Sequence, residues 1–163
     1  MRSHGITKDG RGFNVMTELG YNYRLTEMQA ALGITQLKKL DRFLKTRRQI
    51  VKWYQAALAK NTNIVLPKEI KGSSSAWHLY VIRTKEIKDR LPLYNFLKDK
   101  GVGVNFHYPC VYQHPYYRAH GFKNVICPAA DHYAETAITL PLHTLLTRQD
   151  VLFIAKIIKD FLK

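Results

Sequence analysis

Apolar residues recur at spacings of three, four and seven from residue 28 onward: Met28, Ala31, Leu32, Leu37, Leu40, Phe43, Leu44, Ile50, Val51, Tyr54 and Leu58. That is the period of an amphipathic helix. No proline or glycine interrupts residues 34 to 60, and Thr26-Glu27-Met28-Gln29 matches a capping box ahead of the stripe. The pattern predicts one helix over 26–60, too long for a small domain to bury and suited to bridging two bodies. Residues 1–25 hold several glycines and few periodic apolar positions, so this stretch has little to bury and reads as a poorly ordered or extended connector.

Asn61 to Ser75 is rich in turn formers, including Pro67 and Gly72-Ser73-Ser74-Ser75. Trp77 to Ile82 is aromatic and β-branched and predicts a strand, with His78 as a packed strand histidine. Residues 89–100 predict a helix stopped by Gly101. Val102, Val104 and Phe106 alternate with Gly103, Asn105 and His107, the pattern of a half-buried strand. Tyr108 to Pro128 is a long loop rich in His, Tyr and Pro. Pro128 to Ala137 predicts a helix with proline near its start. Ile138 to Leu142 predicts an edge strand, because Pro141 has no amide to donate. Thr147 caps a last helix carrying Val151, Ile154, Ala155, Ile158, Phe161 and Leu162. Short strands among helices, with the helices on one face, make an α+β fold.

Composition narrows the function classes. The apolar fraction of 46% and the charged fraction of 23% are globular values. No apolar run approaches the ~20 residues of a membrane span. No apolar segment follows Met1-Arg2-Ser3-His4, so a cytoplasmic home is expected. Cys110 and Cys127 show no C-x-x-C spacing and read as reduced thiols. The net charge of +14 gathers in Lys38, Lys39, Arg42, Lys45, Arg47, Arg48 and Lys52. These read as a solvated helix face, with a basic, non-catalytic binding module as the alternative function. No nucleic-acid-binding signature accompanies them. Glycine-rich phosphate loops are absent, and the seven histidines form no H-E-x-x-H or H-x-H. Read locally, no set of residues assembles a catalytic constellation.

A resemblance supplies what local reading does not. Arg2-Ser3-His4-Gly5-Ile6, the block from Leu19-Gly20-Tyr21-Asn22-Tyr23-Arg24 to Leu32-Gly33, and Gln36-Leu37-Lys38-Lys39-Leu40-Asp41 with Arg47-Arg48 stand in order. Trp77-His78-Leu79-Tyr80-Val81, Asn105-Phe106-His107-Tyr108-Pro109, His114-Pro115-Tyr116-Tyr117 and Ile138-Thr139-Leu140-Pro141-Leu142 follow. Together they resemble the DegT/DnrJ/StrS family of pyridoxal phosphate (PLP)-dependent nucleotide-sugar aminotransferases. The resemblance covers essentially the whole chain, and its block around Gly20 is the most specific.

What the resemblance implies is a fold type I transferase: a large α/β domain, a smaller C-terminal domain, and an active site at a dimer interface. Residues 1–25 would be the tail of the large domain, 26–60 the connecting helix and 61–163 the small domain. Asn22 and Arg24 match positions facing the cofactor phosphate; Asn105, His107 and Tyr108 match the nucleotide-sugar side. His4 matches a family histidine, and Tyr112, Tyr116 and Tyr117 are candidates for stacking on a sugar or base. The lysine that anchors PLP lies, in the family, upstream of the Arg-Ser-His-Gly segment. The chain is therefore expected to lack it, to bind no PLP alone and to be inactive by itself. Its partners would be a second copy or a chain carrying the large domain, and a nucleotide sugar. Within the family the resemblance runs to the transaminases of the pseudaminic acid pathway, which act on the C4 keto group of a UDP-linked 4-keto-6-deoxy amino sugar.

Overall fold

The computed structural model describes all 163 residues. The chain divides into two compact units, Met1–Asp41 and Arg42–Lys163.

In the first unit, β1 (Ile6–Lys8) pairs antiparallel with β2 (Asn14–Met16). Asp9 makes the turn: its carboxylate accepts from the Arg11 and Phe13 amides, each at 2.9 Å. Those bonds, led by the one from Phe13, hold its pKa below the usual carboxylate value. The segment expected to be extended or poorly ordered is thus a hairpin. The reason is local hydrogen bonding rather than burial, since every residue of both strands is exposed. Helix α1 (Glu27–Leu37) follows, and Thr26 and Gln29 close the expected capping box.

The single helix expected over 26–60 is two: α1 and α2 (Leu40–Leu58). At the break the Lys39 amide bonds the Gln36 carbonyl at 3.0 Å, three residues back rather than four. Lysine is a good helix former, so Lys38-Lys39 carries no sequence signal for this turn.

In the second unit, β3 (Ile64–Val65), β4 (Tyr80–Thr84) and β5 (Ala137–Leu140) form an antiparallel sheet in the order β3-β4-β5. Between β4 and β5 lie α3 (Ile87–Asp99), three short helical segments (Val111–Gln113, Pro115–Tyr117 and Arg118–Phe122) and α5 (Pro128–Thr136); α6 (Arg148–Phe161) closes the chain. We number the brief turn Pro115–Tyr117 as α4. One sheet face, with Ile64, Tyr80, Ile82, Ile138 and Leu140, packs on Tyr54 and Leu58 of α2, Leu93 and Leu97 of α3, and Val151, Ile154 and Ile158 of α6. The α+β class is as expected. On the other face Val81 and Arg83 remain half-exposed.

Three strand expectations are corrected. The first strand begins at Tyr80 rather than Trp77, because Trp77 takes a φ of 49° that breaks the extended run. His78, expected to be packed, is exposed. Val102 and Val104 are buried as the alternation requires, but residues 102–106 form no strand. The Val104 amide bonds the Val102 carbonyl at 3.0 Å, a tight turn around Gly103. Only the Asn105↔Thr139 bridge remains.

Tyr54 and Tyr80 stack in the core with ring centroids 4.8 Å apart. Burial pushes both phenols above the usual value of 10.0, Tyr54 with a further push from its neighbour Tyr80. A raised folded pKa means that the neutral forms favour the folded state. That stability is complete below the unfolded pKa and is lost as pH rises beyond it. Unfolding should therefore set in above about pH 10. A titration following phenolate absorbance and circular dichroism together should show the last tyrosines ionising with loss of structure. Ionisation of every tyrosine with the helical signal intact would refute this.

Candidate functional site

Two groups of candidate residues lie in different units. Asn22 and Arg24 belong to the first. The segment following β2 runs back along the N-terminal residues: the Tyr21 amide bonds the Met1 carbonyl at 2.7 Å, the His4 amide bonds Tyr21 at 2.8 Å, and Ser3 bridges Asn22. Gly5 and Gly20 make this approach possible. A Cβ on Gly20 would sit 2.0 Å from the Gly5 nitrogen, and one on Gly5 would sit 1.9 Å from the Glu18 carbonyl oxygen. Tyr21 and Tyr23 stack with centroids 4.7 Å apart. In an extended segment alternate side chains share a side, so Asn22 and Arg24 lie opposite that pair. Both are exposed. An amide and a guanidinium offer hydrogen-bond donors, which suits a phosphate. His4 is also exposed and holds a left-handed φ of 61°.

Asn105, His107 and Tyr108 belong to the second unit and come together beside β5. Asn105 exchanges both backbone hydrogen bonds with Thr139, at 3.2 and 2.8 Å. His107 Nδ1 lies 2.8 Å from Thr139 Oγ1, and the Tyr108 ring meets the His107 ring edge-on at 4.7 Å. Thr139 was not singled out from the sequence. Its signal was present: a polar residue between Ile138 and Leu140 must face away from the side they bury.

Arg90 was also missed. Its Nε donates to the Ala137 carbonyl at 3.2 Å, and its guanidinium lies 3.7 Å above the Phe106 ring. This cation–π contact ties α3 to the segment carrying Asn105 and His107. Desolvation lowers the Arg90 pKa, with Glu135 opposing the shift.

The long segment after Tyr108 is knotted by Asp131. Its Oδ1 accepts from Tyr112 Oη at 2.5 Å and Gln113 Nε2 at 2.6 Å, and Oδ2 accepts from the Cys127 amide at 3.2 Å. The Tyr112 bond is the main reason the Asp131 carboxyl is held low and the Tyr112 phenol high. Tyr112 is thus engaged in fixing the loop, whereas Tyr116 and Tyr117 remain exposed. No group of three or more His, Cys, Asp or Glu side chains is placed to hold a metal ion. No helix is long and apolar enough to cross a membrane.

Residues 1–159 match the model of the DegT/DnrJ/EryC1/StrS aminotransferase family. The UDP-4-amino-4,6-dideoxy-N-acetyl-beta-L-altrosamine transaminase of Campylobacter jejuni is 34% identical over 164 residues, covering 99% of this chain and 42% of that protein. Helicobacter pylori PseC, an aminotransferase involved in the biosynthesis of pseudoaminic acid, superposes with a TM-score of 0.85 at 26% identity, covering 99% of this chain and 44% of that one. The PLP form of the putative sugar aminotransferase Spr1654 from Streptococcus pneumoniae gives a TM-score of 0.80 at 27% identity, over 99% and 42% of the two chains. The chain spans 42–44% of the length of the curated relatives it matches.

Proposed function

Because the chain belongs to the DegT/DnrJ/EryC1/StrS aminotransferase family, we propose that it forms the C-terminal portion of a PLP-dependent nucleotide-sugar aminotransferase whose anchor lysine is not among these residues. The observation that carries this reading is the family match along nearly the whole chain, combined with coverage of less than half of the relatives. Residues 1–25 would complete the large domain, 26–60 would connect, and 61–163 would be the small domain. Every lysine of the chain is exposed, whereas a lysine used as a nucleophile is commonly activated by desolvation or a neighbouring cation.

Asn22 and Arg24 would hold the phosphate end of the cofactor. When bound, PLP supplies the carbonyl and the electron sink that amino transfer requires. Thr139 would orient the His107 ring through Nδ1 and leave Nε2 to meet the substrate, with Asn105 and Tyr108 flanking it. The substrate would be a UDP-linked 4-keto-6-deoxy amino sugar, by analogy with the Campylobacter jejuni relative. Met28, Leu32 and Leu37, exposed along α1, support association with a second copy or with a large domain.

The test is to mix the purified chain with PLP, reduce with borohydride and map the modified lysines. Scattered, substoichiometric labelling of exposed lysines is expected. A single lysine labelled to completion, with a matching absorbance band, would sink the proposal.

A further inference from the structure

The two cysteines stand at matching places in the long segment that joins Tyr108 to α5. Cys110 directly precedes the short turn Val111–Gln113, and Cys127 directly precedes α5. The openings of these two elements meet at one carboxylate. Asp131, in the first turn of α5, accepts from Tyr112 and Gln113 on one side and from the Cys127 amide, at 3.2 Å, on the other. The Cys110 thiol also lies against this carboxylate, close enough to help hold its pKa down. Both cysteines are therefore gathered around one side chain, although residues 111–126 lie between them in sequence.

Their surroundings differ in a useful way. Both are free thiols, but Cys110 is buried and Cys127 is exposed, so an oxidant in solution reaches Cys127 first. Residues 113–130 are all exposed, which leaves this segment almost no apolar burial to hold it. Its attachment depends on the hydrogen bonds around Asp131, each of which competes with water. A covalent tie across such a segment removes freedom that packing does not.

We propose that Cys110 and Cys127 form a redox clasp that closes as an intramolecular disulfide under a glutathione-type disulfide. The Cys127 thiolate attacks one sulfur of the oxidant, the oxidant's sulfur–sulfur bond breaks, and one glutathione leaves as a thiolate that takes up a proton. The Cys110 thiolate then attacks the Cys127 sulfur, and the second glutathione leaves in the same way. The cysteine pair loses two electrons and two protons, and the oxidant gains both as two thiols. Asp131 is a positioning residue: it holds the two chain segments together and takes no part in the exchange. Cys110 follows Tyr108 by two residues, so the clasp also fixes the backbone beside the candidate substrate residues. That consequence rests on the proposed function; the disulfide itself does not.

The experiment equilibrates the 163-residue chain with mixtures of reduced and oxidised glutathione at about pH 8, where free thiols are partly ionised. Trypsin digestion without reductant should then yield peptide 101–118, which carries Cys110, joined to peptide 124–148, which carries Cys127, and reductant should separate them. The glutathione ratio at half-closure gives the effective concentration of one thiol at the other. A flexible unfolded chain gives values in the millimolar range, so the folded chain should exceed the same chain in urea by at least about tenfold. Asp131→Asn should bring the folded value several-fold back toward the unfolded one, and Tyr112→Phe serves the same purpose should Asp131→Asn lose its circular dichroism signal. An effective concentration no higher in the folded chain than in urea overturns the clasp. So does oxidation that only cross-links separate chains through Cys127, or a folded Asp131→Asn or Tyr112→Phe chain that closes as readily as the parent.

Discussion

Replacing Tyr54 with alanine should cost the Arg42–Lys163 unit about 3–5 kcal/mol, the range for removing a large buried aromatic ring. Tyr54 is fully buried, stacks on Tyr80, and donates its hydroxyl to the Pro141 carbonyl at 3.1 Å. It therefore joins α2 to the sheet and to the chain just after β5, the strand that carries Thr139. The loss compares with a total stability of roughly 5–15 kcal/mol for a domain. With a urea slope of about 1–3 kcal/mol per molar, the midpoint should fall by more than about 1 M. Tyr54→Phe keeps the ring and removes only the hydrogen bond, so about 0.5–1.5 kcal/mol is expected. A Tyr54→Ala midpoint indistinguishable from that of Tyr54→Phe would show that the ring does not hold α2 in place.

Gly20→Ala should disrupt the first unit while leaving the second intact. The added methyl would meet the Gly5 nitrogen at 2.0 Å and the His4 carbonyl carbon at 2.4 Å. Those are backbone atoms, which cannot rotate away as a side chain would. Overpacking of this kind costs about 1–3 kcal/mol in a well-packed core. Here it acts on a hairpin with almost no buried apolar surface to offset it. The Tyr21 and Tyr23 amides, bonded to Met1 and Arg2, should lose their protection from hydrogen exchange. Amides of β4 and β5 should keep theirs. Unchanged protection at Tyr21 and Tyr23 would mean that the close approach is not required. The proposed consequence for function is that Asn22 loses its position, because its backbone is set by the same pairing.

Several elements were legible because their causes are local. The capping box at Thr26 needs only its own four residues. The C-terminal end of α3 and the start of α5 follow from Gly101 and Pro128. The break between α1 and α2 was not legible, because Lys38 and Lys39 favour helix and the turn depends on how the chain continues on each side. The strand expected at 102–106 failed for a related reason. Its alternation reported burial correctly, but whether buried residues join a ladder is decided by the edge they meet and by the turn at Gly103.

The candidate site divides in the same way. Ordered motifs alone indicated the family and pointed to Asn22, Arg24, Asn105, His107 and Tyr108, because residue types at set spacings are a property of the sequence. Thr139 as the partner of His107 and Arg90 over Phe106 became visible only in three dimensions. Each of these contacts joins residues far apart along the chain. Sheet register and helix docking set such distances, and those are fixed by the packing of the whole core rather than by any short segment.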